Sequence, residues 1–538
     1  MMELPHRTTR NCLIACGVVW HHTTQTMEHP PSSCPFSGIG GNSPTQSNNQ
    51  QRHSYLVTAR TGLPPASEYF EKASSRCQHQ QIPNNMLAVT LLICLLAVSS
   101  QGLDNGVARK PPMGWLSWTA FYCETDCVKH PDACINEQLY KTQADLLVSE
   151  GYRDVGYEFM NVDDCWAEFD RDPETMRMVA HHERFKSGMK ALGDYLHDKG
   201  LKFGLYTDIG NQTCAFYPGE LTPNGTGNYF DVDAQAFAEW GVDSLKVDGC
   251  NIDPRIMGPL YEQFGDALNK SGRPLVYWCS MPFFQATRDP WYKPHQIDFA
   301  LMESKCNGWR FFDDIANSWK SVRSIIDFWA QGADTYAKYH GPGSWADPDM
   351  IIAGCEGPDA LTVEQARSQF AFWSIMSAPL LLSNDLRHIK PEFKAIMQNR
   401  GMISIDQDER GAMAKQVISG DQGIWVKPLA AVNEFAALFY NWDNGNHYVL
   451  NLACPIENII NDDDMEQVKV YDVIDDDRYM RDVVRGHFLG FDMEPDGVQM
   501  VRLRVQTKGN KVSDVWKTGN IRKIGDNEPF PCFLTRPR

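Results

Sequence analysis

From residue 103 to about residue 400 the chain alternates short apolar stretches with longer amphipathic ones. MGWLSW (113–118), YEFMNVDD (157–164), KFGLYTD (202–208) and DSLKVD (243–248) have the length and bounding turn residues that predict strands. PLVYWCS (274–280), a stretch near 305–310, DPDMIIA (347–353) and APLLLS (378–383) continue the series. Between the strands, EQLYKTQADLLVSEG and MKALGDYLHDKG read as amphipathic helices, the second ending at Gly200 as a helix C-cap does. About eight strands separated by helices predict an α/β fold, a (β/α)8 barrel over 103–400. A doubly wound open sheet is the competing topology, but no GxGxxG turn follows the first strand.

Beyond residue 401 the period changes. QGIWVKPL, EFAALFYNW, NHYVLNLA, QVKVYDVI and VQMVRLRV are short strand patterns separated by turn residues, and helical patterns are scarce. An antiparallel β-sandwich domain over 401–538 is the expectation. The acidic runs NDDDMEQ and IDDDR lack EF-hand spacing and read as solvated loops.

The first hundred residues have another character. Residues 1–85 are rich in Ser, Gln, Asn, His and Pro, a composition that cannot bury enough apolar surface to fold. They are read as a disordered or spurious extension. Residues 86–102, MLAVTLLICLLAVSSQG, are too short to span a bilayer comfortably and end in small residues. A buried core helix is one reading; a signal peptide cleaved near Gly102 is the better one. No other segment is apolar enough for a transmembrane helix.

Composition then narrows the partners. A net charge of −18 without a long basic run argues against nucleic acid and anionic membranes. Cys123, Cys127, Cys134, Cys165, Cys214, Cys250, Cys279 and Cys306 form an even set, which in an exported chain favours disulfides, in no fixed pairing. The cluster at 123–134 has no CxxC pair, so a zinc site is disfavoured and no metal or cofactor is expected. Asn211 (NQT), Asn224 (NGT) and Asn269 (NKS) are N-glycosylation acceptors by sequence.

The candidate chemistry lies where the strands end, the face on which a (β/α)8 barrel builds its active site. Trp118, Asp163, Asp164, Tyr206, Asp208, Lys246, Asp248, Arg310, Asp314, Asp347, Asp349 and Met350 all follow or close a predicted strand. A single aspartate there is usually a helix N-cap. A ring of them beside aromatic walls suits a sugar, whose hydroxyls need acceptors and whose apolar face stacks on a ring, and points to catalysis by two carboxylates.

LDNGVARKPPMGWLSW, NVDDCW, LYTDIGNQTC, SLKVDGC, GPGSWADPDM and SAPLLLSNDLRHI closely resemble the animal α-galactosidases and α-N-acetylgalactosaminidases of glycoside hydrolase family 27. The resemblance runs in order from Leu103 to about Gln407 and is weaker in the β-rich remainder. It implies a retaining exo-glycosidase, lysosomal or secreted, commonly a homodimer, acting on terminal α-galactosyl glycolipids, glycoproteins or oligosaccharides.

By motif, Asp248 of KVDGC resembles the nucleophile and Asp314 of WRFFDDI the acid/base, with Asp313 a neighbour without that role. Asp163 and Asp164 resemble acceptors for the sugar's 4- and 6-hydroxyls; Lys246 and Arg310 resemble donors to others. Trp118, Tyr206 and Met350 resemble pocket walls, and Asp349 the family's pocket aspartate. The resemblance also implies the disulfides Cys123–Cys165, Cys127–Cys134, Cys214–Cys250 and Cys279–Cys306. One loop departs from the pattern. After the fifth strand the family's galactosidases carry Glu and Leu against the sugar's 2-position, and its N-acetylgalactosaminidases carry Ser and Ala. YWCSMPFF has Ser280 of the second kind but the bulkier Phe283, with Met281 in place of Trp and Phe284 in place of an aromatic hydroxyl. Phe283 in a fitted pocket disfavours an acetamide, so α-galactosidase is the expectation and α-N-acetylgalactosaminidase the alternative. An inactive sugar-binding protein on the same scaffold is a third reading, opposed by two intact aspartates.

Overall fold

A computed structural model of the chain describes residues 103–288, 297–442, 448–523 and 532–535. The extension 1–85 and the signal-like segment 86–102 lie outside the described residues. Eight parallel strands form the first sheet: β1 Met113–Leu116, β2 Phe159–Asn161, β3 Lys202–Asp208, β4 Ser244–Asp248, β5 Val276–Cys279, β6 Gly308–Arg310, β7 Trp345–Asp347 and β8 Leu380–Leu382. β1 to β7 pair in sequence order, and β8 pairs with β1. A parallel bridge from Ile351 to Leu382 joins the two ends, so the sheet closes into the expected barrel.

Buried side chains fill the interior and dictate where glycine must stand. Asn161 turns inward and donates from Nδ2 to Trp115 O at 3.0 Å. A Cβ on Gly204 of the adjacent strand would lie 1.8 Å from Asn161 Oδ1, so no other residue fits. The surrounding helices follow the sequence pattern. Helix Glu137–Ser149 starts where Asn136 accepts from Leu139 N–H at 2.9 Å, and buries Leu139, Tyr140, Gln143, Ala144 and Leu147. Helix Gly188–Asp198 ends before Gly200, whose φ of +70° only glycine holds without strain.

The seventh strand corrects the sequence reading. It is Trp345–Asp347, ahead of the expected 347–353. Asp347 Oδ1 accepts from the N–H of Asp349, and Asp349 sits at φ +80°, so the chain turns where an unbroken apolar run had suggested extension.

Helices Pro391–Met397 and Arg400–Asp406 lead to two antiparallel sheets. Their strands are β9 Lys415–Ile418, β10 Gln422–Pro428, β11 Glu434–Asn441, β12 Leu450–Pro455, β13 Met465–Asp472, β14 Arg478–Val484, β15 Phe488–Met493, β16 Gly497–Thr507 and β17 Phe533–Thr535. The larger sheet runs β14-β13-β16-β11-β10-β9 and the smaller β15-β12-β17. Their inner faces enclose a separate core of Val417, Ile424, Phe435, Phe439, Leu452, Val468 and Leu503, among others. The run IDDDR is the turn between β13 and β14. Helix Val363–Ile375 is buried almost all round, carrying the barrel side of the contact with β10, β11 and β16.

Five disulfides are present among the described residues: Cys123–Cys165, Cys127–Cys134, Cys214–Cys250, Cys279–Cys306 and Cys454–Cys532. Cys355 is a half-buried free thiol. So many disulfides mark a secretory-pathway protein. No helix of the described residues is long and apolar enough to cross a membrane.

Candidate active site

The parallel register sets the ends of β3 and β4 side by side, with Tyr206 opposite Lys246 and Asp208 opposite Asp248. The Tyr206 hydroxyl donates to Asp248 Oδ2 at 3.0 Å. The Lys246 ammonium lies 5.2 Å from the Tyr206 ring centre and donates to Asp163 Oδ2 at 2.8 Å. Cys214 Sγ is 3.6 Å from Asp248 Oδ2, so the Cys214–Cys250 bridge borders that carboxylate.

Asp163 and Asp164 stand just beyond β2, both buried. Asp163 N–H donates to Ser117 Oγ at 3.3 Å, and Tyr140 donates to the same hydroxyl at 3.0 Å. Asp164 accepts from Cys165 N–H at 2.6 Å and from Ala215 N–H at 3.0 Å. Burial pushes its carboxyl up to about 6 against those amides.

Arg310 closes β6 and reaches two carboxylates. One end meets Asp349 Oδ1 at 3.0 Å and the other donates to Asp314 Oδ1 at 3.1 Å. Asp349 Oδ2 accepts from Ile315 N–H at 2.8 Å, which pins the loop carrying Asp314. The Asp314 side chain is 62% exposed, a rim position, while the Arg310 side chain is 8% exposed. Asp313 is exposed and accepts from the N–H of Asp314.

The remaining expected residues are also placed. Met350 is buried, with its sulfur accepting from Thr119 Oγ1 at 3.7 Å. Trp118 is partly buried and packs edge-on against Tyr122 at 5.7 Å. Ser280 precedes the short helix Met281–Thr287 without a side-chain cap hydrogen bond, and both it and Phe283 are buried. Arg310 lies 5.7 Å from the Phe283 ring centre, so this loop touches the cation that holds Asp314. Asn224 and Asn269 are exposed; Asn211 is half-buried in the loop after β3.

One supporting group, Tyr261, escaped the sequence reading, which places Asp208 in the strand-end ring without a role. Tyr261 is fully buried on helix Met257–Lys270, and its hydroxyl donates to Val247 O (2.9 Å) or Asp248 O (3.0 Å). It also accepts from Ser280 N–H at 3.3 Å, tying the β4 end to the β5 loop. Asp208 accepts from Gly210 and Cys250 N–H groups at 2.7 and 2.8 Å, and burial raises its carboxyl well above the ordinary range. No motif advertises a tyrosine on the outer helix; only the fold brings it under Asp248.

Two groups of metal-type ligands occur among the described residues. Asp208, Cys214 and Cys250 cannot serve, because both sulfurs are bonded to each other. Glu168, His181 and His182 lie at the surface, where Glu168 is already hydrogen-bonded to His182.

Burial raises the Asp248 carboxyl, opposed by Lys246 and reinforced by Asp314 and Asp163. Burial also acts to raise Asp314, but Arg310 and Lys246 outweigh it and hold Asp314 below the usual carboxylate range. Carboxylates on three sides of Lys246 raise that lysine although burial opposes them, so it stays charged. The arrangement offers carboxylate acceptors, two fixed cations and a half-exposed second acid around one mouth, a set suited to a polyhydroxylated ligand.

A family profile described as alpha galactosidase A matches residues 110–408. Human alpha-galactosidase A is 43% identical over 358 residues, covering 65% of this chain and 80% of that protein. Chicken alpha-N-acetylgalactosaminidase is 46% identical over 330 residues, covering 61% of this chain and 78% of that one. Among solved structures, alpha-galactosidase I from Mortierella vinacea aligns with a TM-score of 0.62 at 26% identity, over 74% of this chain and 98% of its own. The matched profile spans the barrel and every carboxylate described above, and by it the chain belongs to glycoside hydrolase family 27, the family of the α-galactosidases and α-N-acetylgalactosaminidases.

Proposed function

We propose that the protein is a retaining exo-α-galactosidase in which Asp248 is the nucleophile and Asp314 the acid/base. The observation that carries this reading is Asp248 itself: a half-buried carboxylate at a strand end, oriented by Tyr206 and with Asp314 near enough to influence its charge. An ionised Asp248 attacks the anomeric carbon and the bond to the leaving oxygen breaks, its electron pair leaving with that oxygen. Asp314 supplies the proton it takes up. Asp314 then removes a proton from water, which attacks the same carbon and releases Asp248. Asp163, Asp164, Lys246, Arg310 and Asp349 are the hydroxyl partners that position the ring, between walls of Trp118, Tyr206 and Met350.

The free site holds Asp314 ionised, whereas an acid must carry a proton. A sugar seated over its exposed side chain would exclude solvent from it, and the opposing Asp248 charge would then disfavour a second anion. The five disulfides support a lysosomal or secreted location. In this reading residues 86–102 are the export signal and residues 1–85 are absent from the mature enzyme. Its substrates are terminal α-galactosides of glycolipids, glycoproteins or oligosaccharides, and it works as a homodimer.

A second reading, α-N-acetylgalactosaminidase, is favoured by Ser280, which is the residue kind that leaves room for an acetamide. The purified enzyme assayed on paired nitrophenyl α-galactoside and α-N-acetylgalactosaminide separates the two. An NMR time course tests the mechanism: the α-anomer must appear first, and a β-anomer first overturns retention. Retention also requires the carboxyl oxygens of Asp248 and Asp314 to lie about 5–5.5 Å apart in a substrate complex.

A further inference from the structure

The loops after β2 and β3 hold three large apolar side chains out in water. Phe169 is 66% exposed, Phe216 63% and Met176 40%. They line one cleft of about 580 Å³, together with Pro218, Leu221 and Pro223. None of this is loose chain. Phe169 lies flat on the buried Tyr217, ring centres 4.5 Å apart, with its other face open. The turn carrying Phe216 is closed by Phe216 N–H to Thr213 O at 3.0 Å and by Thr213 N–H to Tyr217 O at 2.8 Å. Met176 and Phe216 both occupy the left-handed region, at φ +61° and +67°. Bulky residues rarely adopt that conformation, and here it coincides with exposed apolar surface, a pairing that a bound partner rationalises.

The wall of this cleft also carries Asn211, the acceptor of the NQT triplet. Its Nδ2 donates to Pro223 O at 3.3 Å, so the attachment atom is at the cleft and not on a distant lobe. Glycosylation forms a bond from Nδ2 to C1 of N-acetylglucosamine. The C1–oxygen bond to the pyrophosphate of a lipid-linked oligosaccharide donor breaks, its electron pair leaving with that oxygen, and one amide proton is released. The second amide hydrogen remains for Pro223 O. N-acetylglucosamine has a C–H face and an acetamide methyl for the aromatic rings, and hydroxyls for the polar rim at Asp170 and Gln212.

We propose that the first sugar of an N-linked glycan on Asn211 packs in this cleft against Phe169, Met176 and Phe216, so that the modification covers apolar surface the fold leaves open. The proposal rests on the reading of the chain as an exported protein glycosylated at Asn211.

The test uses the full chain from a glycosylating host, with occupancy at Asn211 measured by mass spectrometry. One sample is trimmed by an endoglycosidase that leaves a single N-acetylglucosamine; Asn211→Gln supplies protein without sugar at this position. The sugar-free protein is expected to show a several-fold rise in anilinonaphthalenesulfonate fluorescence. Its Tm should fall on the order of 1–2 °C. The single-sugar protein should match the untrimmed one. In a Phe216→Ser background the Asn211→Gln change should lose most of its effect on both readouts. An occupied Asn211 with identical dye binding and Tm in all samples overturns the packing while leaving glycosylation intact. An unoccupied Asn211 overturns the glycosylation reading itself. Dimerisation of the untrimmed protein that is lost in Phe216→Ser makes a second copy the occupant and also overturns the proposal.

Discussion

Tyr206 gives its phenolic hydrogen to Asp248 Oδ2 across 3.0 Å, and the two residues come from neighbouring parallel strands whose ends are held in register. The bond favours the charged form of a carboxyl that burial otherwise raises. Tyr206→Phe keeps the ring above Lys246 and removes only the donor. A hydrogen bond to a charged group is worth about 1.5–3 kcal/mol, so kcat/KM should fall roughly 10- to 100-fold. Because an ionised nucleophile is required, the acid limb of the kcat/KM profile should move to higher pH. An unchanged limb with a lowered rate would show that the hydroxyl serves the sugar and not Asp248.

The two aspartates should respond differently to the same substitution. Asp248→Asn removes the proposed nucleophile with little change of shape, so turnover should vanish while sugar binding by calorimetry persists. Asp314→Asn should slow alkyl galactosides far more than nitrophenyl galactosides, since only poor leaving groups depend on acid assistance. Equal losses on both substrate types would remove Asp314 from the acid role.

Legibility differed from element to element for physical reasons. KFGLYTD is an isolated apolar run between turn residues, and β3 occupies the expected 202–208. DPDMIIA is equally apolar, yet an Asp347 side chain capping the N–H of Asp349 turns the chain there, and hydropathy does not register such a local hydrogen bond. β14 has no alternating apolar pattern to read, because Arg478, Tyr479, Arg481, Asp482 and Val484 leave both its faces largely exposed. The ring of carboxylates at the strand ends was legible because the barrel puts those positions on one face. Their individual roles came from motif resemblance. The contacts between them, Arg310 to Asp349 and Tyr261 under Asp248, join residues that no local pattern relates.

Stability should rise as the solution is acidified from neutrality. Burial raises Asp164 to about 6, and Asp349 reaches about 6 despite Arg310, from an ordinary value of 3.8. A carboxyl whose folded value is raised binds its proton more readily in the folded than in the unfolded chain. Stability therefore falls as pH climbs through 4 to 6 and is lowest above that window. Each such group contributes up to about 3 kcal/mol across the window, at about 1.4 kcal/mol per unit. Buried His340, pushed down to about 3, opposes them in the same window, whereas Asp208, Glu220 and Asp406, raised by burial well above the ordinary range, act with them. Asp253, held at about 2 by Arg255, opposes them only at lower pH. Tm by calorimetry should be higher at pH 5 than at pH 7.5, and Asp164→Asn should flatten that slope. A Tm that rises toward neutrality contradicts the assignment of these buried acids.

The proposed choice between the two substrates of the family turns on the loop after β5. Phe283 is buried in the short helix that begins at Ser280, and its ring lies 5.7 Å from Arg310, the residue that bridges Asp349 and Asp314. A ring in that position competes with an acetamide for space beside the pocket, whereas a bare hydroxyl leaves the packing undisturbed. The enzyme should therefore prefer galactosides, and Phe283→Ala should raise activity on N-acetylgalactosaminides relative to galactosides. An apolar pocket contact discriminates by about 1–3 kcal/mol, so the shift in the ratio of kcat/KM values should be roughly 10- to 200-fold. Thermal unfolding of the variant guards against a trivial loss of fold, since the ring also packs on Phe284 at 4.7 Å. If the unaltered enzyme already prefers the N-acetylated substrate, the ring does not restrict that space, and Ser280 is the residue that sets specificity.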